Sequence, residues 1–399
     1  MAGESFEYAV CGAGPAGAMA ALALAARGRS VALVHWAPRA EKPCGGGVPA
    51  RGMARYGALL DGVPRNEARA VRVVGPARDE AEVELTTPLS IFARRELDDA
   101  LRRRAERAGA QRIDARVVAL ARTSDGFELE LRRRADGPIE RARARFVVAA
   151  DGAAGLVRRR LLELAGVAAP GPEQFSRSFT TYPVIGPSAK SAVDSSSASS
   201  RARADVLELA WSRGVDGYGW VFPRSDHASI GWCAQGTRGS ETIQGFGERG
   251  VGALIPSFRG EVAARAPVEG PGFALVGDAA GAVDPITREG IHHAMATGAA
   301  LGECDPRSRP GRYCAWYDAE LRPELVRAAA LAPTFFAPRF LTTMVRALAR
   351  SAALRDVFRD LVAGTQSYSR LRQRLLRALP RSLPSLCAAL VAPAKLARR

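Results

Sequence analysis

Residues 41–52, EKPCGGGVPARG, place a lysine, a cysteine and three consecutive glycines in one short stretch. Glycine loses more backbone entropy on folding than any other residue, so three in a row stabilise no regular element. Such a run is tolerated where the chain turns sharply or lies close against a ligand. The thiol of Cys44 could donate or relay a proton there, or it could be a small buried group that only packs. Lys42 could contact the ligand or polarise the thiol, although a solvated lysine fits equally well.

A second glycine pattern, GAGPAG, lies near the N-terminus after a short apolar strand. Gly12, Gly14 and Gly17 have the G-x-G-x-x-G spacing that gives a tight turn, close approach to a pyrophosphate and close packing of helix on strand. Pro15 fits the first turn of the helix predicted over 15–27, where its missing N–H is not needed. The free N–H groups of that helix attract phosphates. The unit predicts a dinucleotide site; the alternative is an alanine-rich turn that binds nothing.

The second strand of this unit, predicted over 30–35, should end beside the ribose of the nucleotide. An acidic residue is expected there to accept the ribose hydroxyls, but His35 and Trp36 occupy the position. A neutral imidazole could form that hydrogen bond instead. The alternative is a histidine at the end of a strand that faces solvent.

The rest of the chain mixes helix and strand. Residues 91–110 predict an amphipathic helix with apolar positions 97, 101 and 105 on one face. Strands are predicted at 116–120, in FELELRRR and in ARFVVAADG. An antiparallel sheet is predicted over 175–235, interrupted at 187–204 by a stretch rich in Ser and Ala that predicts a flexible loop.

The composition excludes several classes of protein. No run of about 18 apolar residues could span a membrane, and the N-terminus indicates a folded domain and not a signal peptide. The six cysteines show no C-x-x-C and no metal-like spacing, so we expect no disulfide framework, iron–sulfur cluster or other metal site. The net charge of +16 comes almost wholly from arginine, and no nucleic-acid motif accompanies it. We therefore expect a cytoplasmic protein without a nucleic-acid partner.

Seven motifs follow one another along nearly the whole chain: GAGPAG at 12–17, KPCGGG at 42–47, R-x-x-L-D at 94–98, A-D-G with V-R at 150–158, Y-G-W-V-F-P at 218–223, GDAAG with P-x-T-x-E-G-I at 277–291, and G-x-x-S-Y at 364–368. In this order the chain resembles the geranylgeranyl reductase family of FAD-dependent oxidoreductases, which has the para-hydroxybenzoate-hydroxylase fold. The resemblance implies an α/β protein with a Rossmann-like FAD-binding domain, an antiparallel-sheet substrate domain and a C-terminal helical region. The expected boundaries are 1–73, 90–165 and 268–325 for the discontinuous FAD-binding domain, 74–89 and 166–267 for the substrate domain, and 326–399 for the helical region.

The resemblance also implies roles for single residues. Asp278 and Arg94 would contact the ribityl–pyrophosphate region of FAD, and Val118 would reach the adenine through its backbone. Gly290 and Ile291 would set a helix N-terminus beneath the flavin pyrimidine ring, where it stabilises negative charge. The full set of expected cofactor contacts is Gly12, Gly14, Pro15, Ala16, Gly17, His35, Trp36, Cys44, Gly45, Gly46, Arg94, Val118, Asp278, Gly281, Gly290 and Ile291.

Three aromatic residues alternate along one predicted strand, so they face the same side of it. On the resemblance, Tyr218, Trp220 and Phe222 line the substrate cavity against the flavin; core packing is the alternative. Hydrogenation of a C=C bond also needs a proton donor within hydrogen-bond reach. The residues that we expect to donate or relay that proton are Cys44, His292 and His293.

The implied function is an FAD-dependent reductase that hydrogenates C=C bonds of an isoprenoid, or polyprenyl, lipid or a similar apolar substrate. A flavin-dependent monooxygenase or halogenase of the same fold is one alternative, although Y-G-W-V-F-P differs from the W-x-W-x-I-P of halogenase-like chains. A flavin- or lipid-binding protein without turnover is another, because the family usually has an acidic residue at His35 and glycine at Arg288. The family also usually has Asn-Ser where this chain has Ala154 and Gly155. The electron donor is expected to be NAD(P)H or ferredoxin, since the single nucleotide fingerprint is assigned to FAD.

The C-terminal residues carry an amphipathic helical pattern. Its apolar side predicts either a peripheral contact with the inner face of a membrane or a helical cap over the substrate cavity. The apolar positions are Leu341, Met344, Val345 and Leu348, and the basic positions are Arg346 and Arg350.

Overall fold

The computed structural model describes residues 4–36, 41–183, 203–236 and 251–378. The stretch 187–204, for which the sequence predicts a flexible loop, lies outside the described residues apart from its last two. The chain beyond residue 378, which completes the predicted C-terminal helical region, also lies outside them.

Strands and helices are mixed up to about residue 275, and helices fill the described chain after residue 290. The strands are β1 (Glu4–Cys11), β2 (Val31–His35), β3 (Gly47–Val48), β4 (Arg65–Val74), β5 (Glu80–Phe92), β6 (Gln111–Asp114), β7 (Arg116–Thr123), β8 (Gly126–Arg132), β9 (Ile139–Ala149), β10 (Ser176–Thr181), β11 (Val206–Ala210), β12 (Gly217–Pro223), β13 (Ala228–Gln235), β14 (Val251–Ile255), β15 (Glu269–Gly270) and β16 (Phe273–Leu275). The helices are α1 (Pro15–Ala25), α2 (Ala50–Tyr56), α3 (Arg94–Arg107), α4 (Leu156–Leu164), α5 (Gly260–Arg265), α6 (Ile291–Cys304), α7 (Arg312–Glu320), α8 (Arg322–Phe335), α9 (Pro338–Arg350), α10 (Ala352–Val362) and α11 (368–378).

The first sheet carries the nucleotide-binding unit. Its central strands run in the order β15-β16-β9-β1-β2-β6, and β1 is parallel to both β2 and β9. Buried parallel strands are apolar because both of their faces are covered, and Tyr8 and Val10 of β1 are completely buried. Helix α1 connects β1 to β2 and packs against α6. The predicted Rossmann-like domain is confirmed.

The second sheet runs in the order β14-β10-β13-β12-β11-β4-β5-β3. Its neighbouring strands are antiparallel except β11 and β4, which are parallel, so the predicted antiparallel-sheet domain is confirmed. The first boundary differs from the expected one. We expected the chain to stay in the FAD-binding domain up to residue 73, but β4 begins at Arg65 and belongs to the second sheet. The reason is that β4 and β5 form one hairpin, which places both strands in the same sheet.

The helix predicted over 91–110 is shorter than expected. Ile91 and Phe92 end β5, and α3 begins at Arg94. Two adjacent apolar residues are compatible with a strand period and with a helix period, so the pattern could not assign them. The apolar positions predicted on one face of the helix are all completely buried, which confirms its orientation.

Helices α8, α9 and α10 cover the second sheet. Leu341, Val345 and Leu348 on the apolar face of α9 are buried in one cluster with Val71 and Val83 of that sheet. This burial favours the helical cap for the predicted apolar face of α9, because protein already covers that face. In the described part of the chain, every helix is too short or too polar to cross a lipid bilayer.

Candidate active site

The glycines of the N-terminal turn have two different reasons to be glycine. Gly12 has a φ of +110°, and a Cβ atom there would lie 2.3 Å from the carbonyl oxygen of Ala150. A Cβ atom at Gly17 would lie 1.8 Å from the carbonyl oxygen of Gly12. A Cβ atom at Gly14 would meet only Nη2 of Arg94, at 4.0 Å. Packing of the protein therefore requires the first and third glycines, whereas the second faces open space.

That open space is a cleft of about 740 Å³ in front of the turn. Ala115 and the first two residues of β7, Arg116 and Val117, close one side of it, whereas Val118, the residue that we expected, does not line it. The pairing of β7 with β8 is irregular between Val117 and Ala119, which shifts the register at that point. The expected cofactor residues that line the cleft are Gly12, Gly14, Pro15, Ala16, His35, Trp36, Arg94 and Asp278.

His35 is buried at the end of β2 and does not face solvent. Burial lowers its pKa, and the nearby Arg102 and Arg112 lower it further, so the ring is neutral at pH 7. A neutral imidazole offers one donor and one acceptor nitrogen. His35 can therefore hydrogen-bond a ribose hydroxyl in place of the expected carboxylate. Trp36 is half-exposed at the rim of the same cleft.

The A-D-G motif ends in an unusual helix cap. Gly155 is the N-cap residue of α4, and glycine has no side chain to accept the first helical N–H groups. Asp151 accepts them instead, from Val157 N–H at 2.7 Å and from Arg158 N–H at 3.3 Å. A Cβ atom at Gly155 would lie 2.0 Å from the carboxyl carbon of Asp151. Asp151 thus supplies the cap that the side chain of residue 155 cannot supply.

Replacing Asp151 by asparagine should change the pH dependence of stability. Burial raises the pKa of Asp151 from 3.8 to about 6, although the N–H groups of Val157 and Arg158 oppose the shift. The folded protein therefore retains a proton that the unfolded chain releases, and the contribution of this group to stability is lost as the pH rises through about 6. We expect D151N, relative to wild type, to gain about 2 kcal/mol between pH 4 and pH 7. Chemical unfolding of both proteins across that range measures it; a constant difference would contradict the burial of this carboxyl.

The segment just before the glycine run is anchored by a buried arginine that the sequence analysis missed. Arg224, with 1% of its side chain exposed, donates to Glu41 at 2.7 Å and to the carbonyl oxygen of Cys44 at 3.1 Å. Glu41 also accepts the backbone N–H of Arg94 at 2.8 Å, and Ser229 donates to the same Cys44 carbonyl at 2.9 Å. The signal available in the sequence was that Arg224 directly follows Y-G-W-V-F-P.

The three consecutive glycines pack against protein groups. A Cβ atom at Gly45 would lie 2.7 Å from the ring of Phe222, and one at Gly47 would lie 3.0 Å from the same ring. Gly46 has a φ of +87°, and a Cβ atom there would lie 2.0 Å from the carbonyl oxygen of Phe92. The run is therefore glycine because an aromatic ring and a strand end both lie directly against its backbone. All three glycines also line a cavity.

Cys44 lies beside a buried cation at the start of this run. Its thiol accepts the N–H of Gly46 at 3.3 Å. Arg94 is adjacent and is held by both oxygens of Asp98, each at 3.0 Å. Burial alone would lower the pKa of Arg94, but Asp98 and Cys44 together raise it, so the guanidinium stays charged. The thiol thus faces a cavity next to a permanent positive charge.

This second cavity, of about 230 Å³, lies between the two sheets and the C-terminal helices. It shares seven lining residues with the nucleotide cleft, so the two spaces adjoin. The shared residues are Pro15, Lys42, Arg94, Ala253, Leu254, Asp278 and Ala294.

The wall of the second cavity is mainly apolar. Tyr218, Trp220 and Phe222 all line it, so they share one side of β12 as predicted. Tyr218 donates its hydroxyl to the carbonyl of Thr287 at 2.5 Å, and Trp220 donates to Ser229 at 3.2 Å. Their polar atoms are thus satisfied by protein, and their apolar faces remain for a ligand. The second sheet and the C-terminal helices add Leu207, Leu209, Trp211, Phe335, Phe358 and Leu361.

The later loop of the chain joins both spaces. Asp278 forms an ion pair of 2.7 Å with Lys42, which links the GDAAG loop to the KPCGGG segment. Gly290 is the N-cap residue of α6, and both Gly290 and Ile291 line the second cavity. The positive end of a helix therefore faces this cavity, as the resemblance implied.

The last motif anchors that loop from a distance. Tyr368 donates its hydroxyl to Oδ1 of Asp284 at 3.1 Å. The same oxygen accepts the N–H groups of Ile286 at 2.7 Å and of Thr287 at 2.9 Å. G-x-x-S-Y is therefore a structural support for the segment that leads into α6.

Five of the expected site residues line neither space: Gly17, Val118, Gly281, His292 and His293. Gly281 packs against Phe258, whose ring would lie 2.4 Å from a Cβ atom at that position. His292 and His293 are buried on the side of α6 that faces α2, where His293 lies 3.3 Å from Nη2 of Arg51. Burial and Arg51 lower the pKa of His292 to about 3 and that of His293 to about 4, so both are neutral. The structure does not bring the two histidines to the cavity.

The arrangement fits FAD. The pyrophosphate can bind in the open space beside Gly14, at the N-terminus of α1. A ribose can form a hydrogen bond with neutral His35. The adjoining cavity, with the N-terminus of α6, can take the flavin ring beside an apolar substrate. Among the residues that the structure describes, no group of three or more His, Cys, Asp or Glu side chains could hold a metal ion.

Comparison with known proteins agrees with this geometry. Residues 6–182 match the FAD binding domain family model. The geranylgeranyl diphosphate reductase of Rhodobacter capsulatus is 30% identical over 316 residues, which cover 75% of this chain and 74% of that protein. The menaquinone reductase of Mycobacterium tuberculosis is 29% identical over an alignment of 399 positions, and the alignment covers 89% of this chain and 90% of that protein.

Solved structures show the same fold. A geranylgeranyl bacteriochlorophyll reductase-like protein from Thermoplasma acidophilum has a TM-score of 0.71 and 20% identity, covering 94% of this chain and 100% of that one. The flavin-dependent brominase Bmp2 has a TM-score of 0.65 and 17% identity, covering 94% and 98%. The fold is thus common to reductases and halogenases. The chain belongs to the geranylgeranyl reductase family of FAD-dependent oxidoreductases.

Proposed function

We propose that this protein is a reductase that hydrogenates C=C double bonds of an isoprenoid lipid or a similarly apolar substrate. One observation carries the proposal: an apolar cavity walled by Tyr218, Trp220 and Phe222 adjoins the nucleotide cleft and shares seven lining residues with it. A polyprenyl chain offers only apolar surface, and burying such surface is favourable by about 25 cal/mol per Å². The cavity therefore suits a lipid chain that must reach the cofactor.

FAD would be held by residues of four segments. Gly14 with the α1 N-terminus and Arg94 would contact the phosphates, and His35 would contact a ribose. Gly290 and Ile291 would present the α6 N-terminus to the ring. When bound and reduced, FAD supplies the hydride for the double bond. The residues of this chain orient the lipid along the aromatic wall, exclude water from the cavity and provide the proton.

Cys44 is the proton donor or relay that we propose, because it lines the apolar cavity beside Arg94, which lines both the cavity and the nucleotide cleft. A general acid contributes about a hundredfold or more to the rate. We expect C44A to keep its FAD, since the thiol makes one weak hydrogen bond to Gly46, and to lose about a hundredfold in the rate of reduction. H292N and H293N are the matched controls and should retain the rate. An unchanged rate in C44A with intact FAD would assign the thiol to packing.

The products of a single turnover test the reductase activity. The enzyme is reduced by dithionite without oxygen and incubated with geranylgeranyl lipids, and the lipids are analysed by mass spectrometry. We expect a mass gain of two hydrogen atoms for each bond reduced. Lipid that is recovered unchanged, whatever its head group, would contradict the proposal and favour a flavin- or lipid-binding protein without turnover.

A flavin monooxygenase or halogenase is the second candidate, because the brominase Bmp2 has the same fold. Such an enzyme would react only after oxygen is admitted, and its product would be hydroxylated or halogenated. The reaction without oxygen therefore separates the two candidates. The same assay, with NADH, NADPH or reduced ferredoxin in place of dithionite, identifies the electron donor.

Peripheral membrane contact is a further part of the proposal. Leu331, Phe340, Leu375 and Leu376 are exposed on α8, α9 and α11, and exposed apolar residues on helices favour binding at a lipid surface. Sedimentation with anionic vesicles tests this contact, and substitution of Leu376 and Phe340 by serine should reduce it. Binding that is equal in the variant would exclude these helices as the contact.

A further inference from the structure

Arg288 is a buried cation in the wall of the substrate cavity. Its side chain is 3% exposed, and its backbone has a φ of +57°, a conformation that favours glycine. The family usually has glycine there, so this chain keeps a large charged side chain at a position where the backbone does not favour one. A packing role alone does not require a guanidinium at such a place.

The charge of Arg288 is only partly compensated. Its Nη2 atom lies 3.5 Å from Oδ1 of Asp216 and donates to the Asp216 carbonyl at 3.2 Å, and its Nη1 atom donates to the Pro285 carbonyl. The same carboxylate is paired at 2.5 Å with Arg259. Two guanidinium groups therefore share one carboxylate, and the Nε–H of Arg288 has no hydrogen-bond partner. The adjacent Asp284 already accepts two backbone N–H groups and the hydroxyl of Tyr368.

The other charged residues of the cavity wall each have a partner of their own. Lys42 is paired with Asp278, which also lines the cavity. Arg94 is paired with Asp98, and Glu289 is paired with Arg51. Arg288 is thus the charged side chain of the described wall that shares its carboxylate partner with a second arginine.

The surroundings of Arg288 define the kind of ligand that would complete it. A guanidinium binds the oxygens of carboxylate and phosphate groups with paired, charge-assisted hydrogen bonds. Phe336 lies against the guanidinium, 5.4 Å from its carbon to the ring centre, and Tyr218 belongs to the same wall. The rest of the wall is apolar, so a ligand with an anionic group must carry it on an apolar chain.

The geometry points to Arg288 as a specificity-determining residue that binds an anionic oxygen group, a carboxylate or a phosphate, on the apolar substrate. This inference rests on the proposed function and names its substrate class: an amphiphile with an anionic head and not a neutral lipid. Arg288 orients the ligand and takes no part in the transfer of hydride or proton. The cation is left incompletely paired until the anion binds.

Binding of three ligands with one hydrocarbon chain tests the inference. Geranylgeraniol, geranylgeranoic acid and geranylgeranyl diphosphate are titrated into the oxidised FAD-loaded protein, and tryptophan fluorescence reports occupancy because Trp211 and Trp220 line the cavity. We expect at least one anion to bind about tenfold tighter than the alcohol, which is typical of a hydrogen bond to a charged group. Comparing the acid with the diphosphate shows whether the site prefers a carboxylate or a phosphate group.

Variants assign that preference to Arg288. We expect R288G to lose the preference, and it should fold because glycine suits the positive φ. R288K should keep part of the preference. R346M is the matched control, because Arg346 is a buried arginine paired with Asp79 at 3.0 Å, outside the cavity wall, so this variant should keep the whole preference.

Equal affinity of the wild type for the alcohol and both anions, or an unchanged preference in R288G, would overturn the inference. If the alcohol binds and is reduced without any preference for anions, the inference alone fails and the reductase function stands. If no prenyl ligand binds, the proposed function fails and the inference fails with it.

Discussion

Replacing Gly17 by alanine is expected to lower the free energy of unfolding by about 3 kcal/mol and to abolish FAD binding. The new Cβ atom would lie 1.8 Å from the carbonyl oxygen of Gly12, where no side chain can yield. Helix α1 must therefore move away from β1, and its N-terminal N–H groups move with it. A misplacement of about 1 Å is enough to lose most of a positioned interaction. Chemical unfolding and the flavin content of the purified protein measure the two effects.

Two other glycine variants separate the effect of a clash at the turn from the effects of an obstructed cleft and of an unfavourable backbone conformation. G14A should keep the stability of the wild type without cofactor, because a Cβ atom there meets only Arg94 at 4.0 Å, but it should weaken FAD binding since that atom points into the cleft. G28A should lower stability by about 1 kcal/mol and keep FAD, because Gly28 has a φ of +74° with no atom within 4 Å of a Cβ position. Full FAD binding in G17A would refute the packing that we describe for this turn.

Replacing Arg224 by methionine should lower the free energy of unfolding by about 3–5 kcal/mol. The variant would leave Glu41 with 11% of its side chain exposed and without its ion partner. It would also remove the donor to the Cys44 carbonyl, so the glycine run would lose its anchor next to the cofactor. We therefore expect flavin to be lost along with stability, as measured by unfolding at several FAD concentrations.

The double variant R224M with E41Q shows whether the unpaired charge is the cause. It should recover part of the loss, because a neutral amide costs less to bury than an unpaired carboxylate and still accepts the N–H of Arg94. R203M is the surface control: Arg203 pairs with Glu82 in solvent, and we expect no measurable change there. A single variant R224M as stable as R203M would show that the buried pair does not hold the segment.

The local parts of the fold follow from the sequence. The strand, glycine turn and helix at the N-terminus were predicted from spacing alone, because each of these requirements acts over a few residues. The alternation of Tyr218, Trp220 and Phe222 likewise placed them on one wall. The sequence is compatible with His35 either as a ribose ligand or as a solvent-facing residue at the end of a strand. Only the folded structure shows that it is buried in the cleft.

The parts that could not be predicted depend on contacts distant in sequence. Arg224 meets Glu41 across 183 positions, and no local pattern reports such a pair. The glycine run pointed to a ligand, but Phe222 and Phe92 lie closer to it than any spacing rule could indicate. His292 and His293 follow the right helix start, yet the rotation of α6 turns them towards α2.

Reoxidation of the reduced flavin by a lipid, in the absence of oxygen, is the most direct test of the proposed double-bond reductase activity. The protein is loaded with FAD, reduced without oxygen and mixed rapidly with a geranylgeranyl lipid while the absorbance of oxidised flavin is followed. We predict that the absorbance returns on mixing and that its amplitude matches the amount of lipid reduced. If the flavin stays reduced with every such lipid and is oxidised only when oxygen is admitted, the protein is not a double-bond reductase.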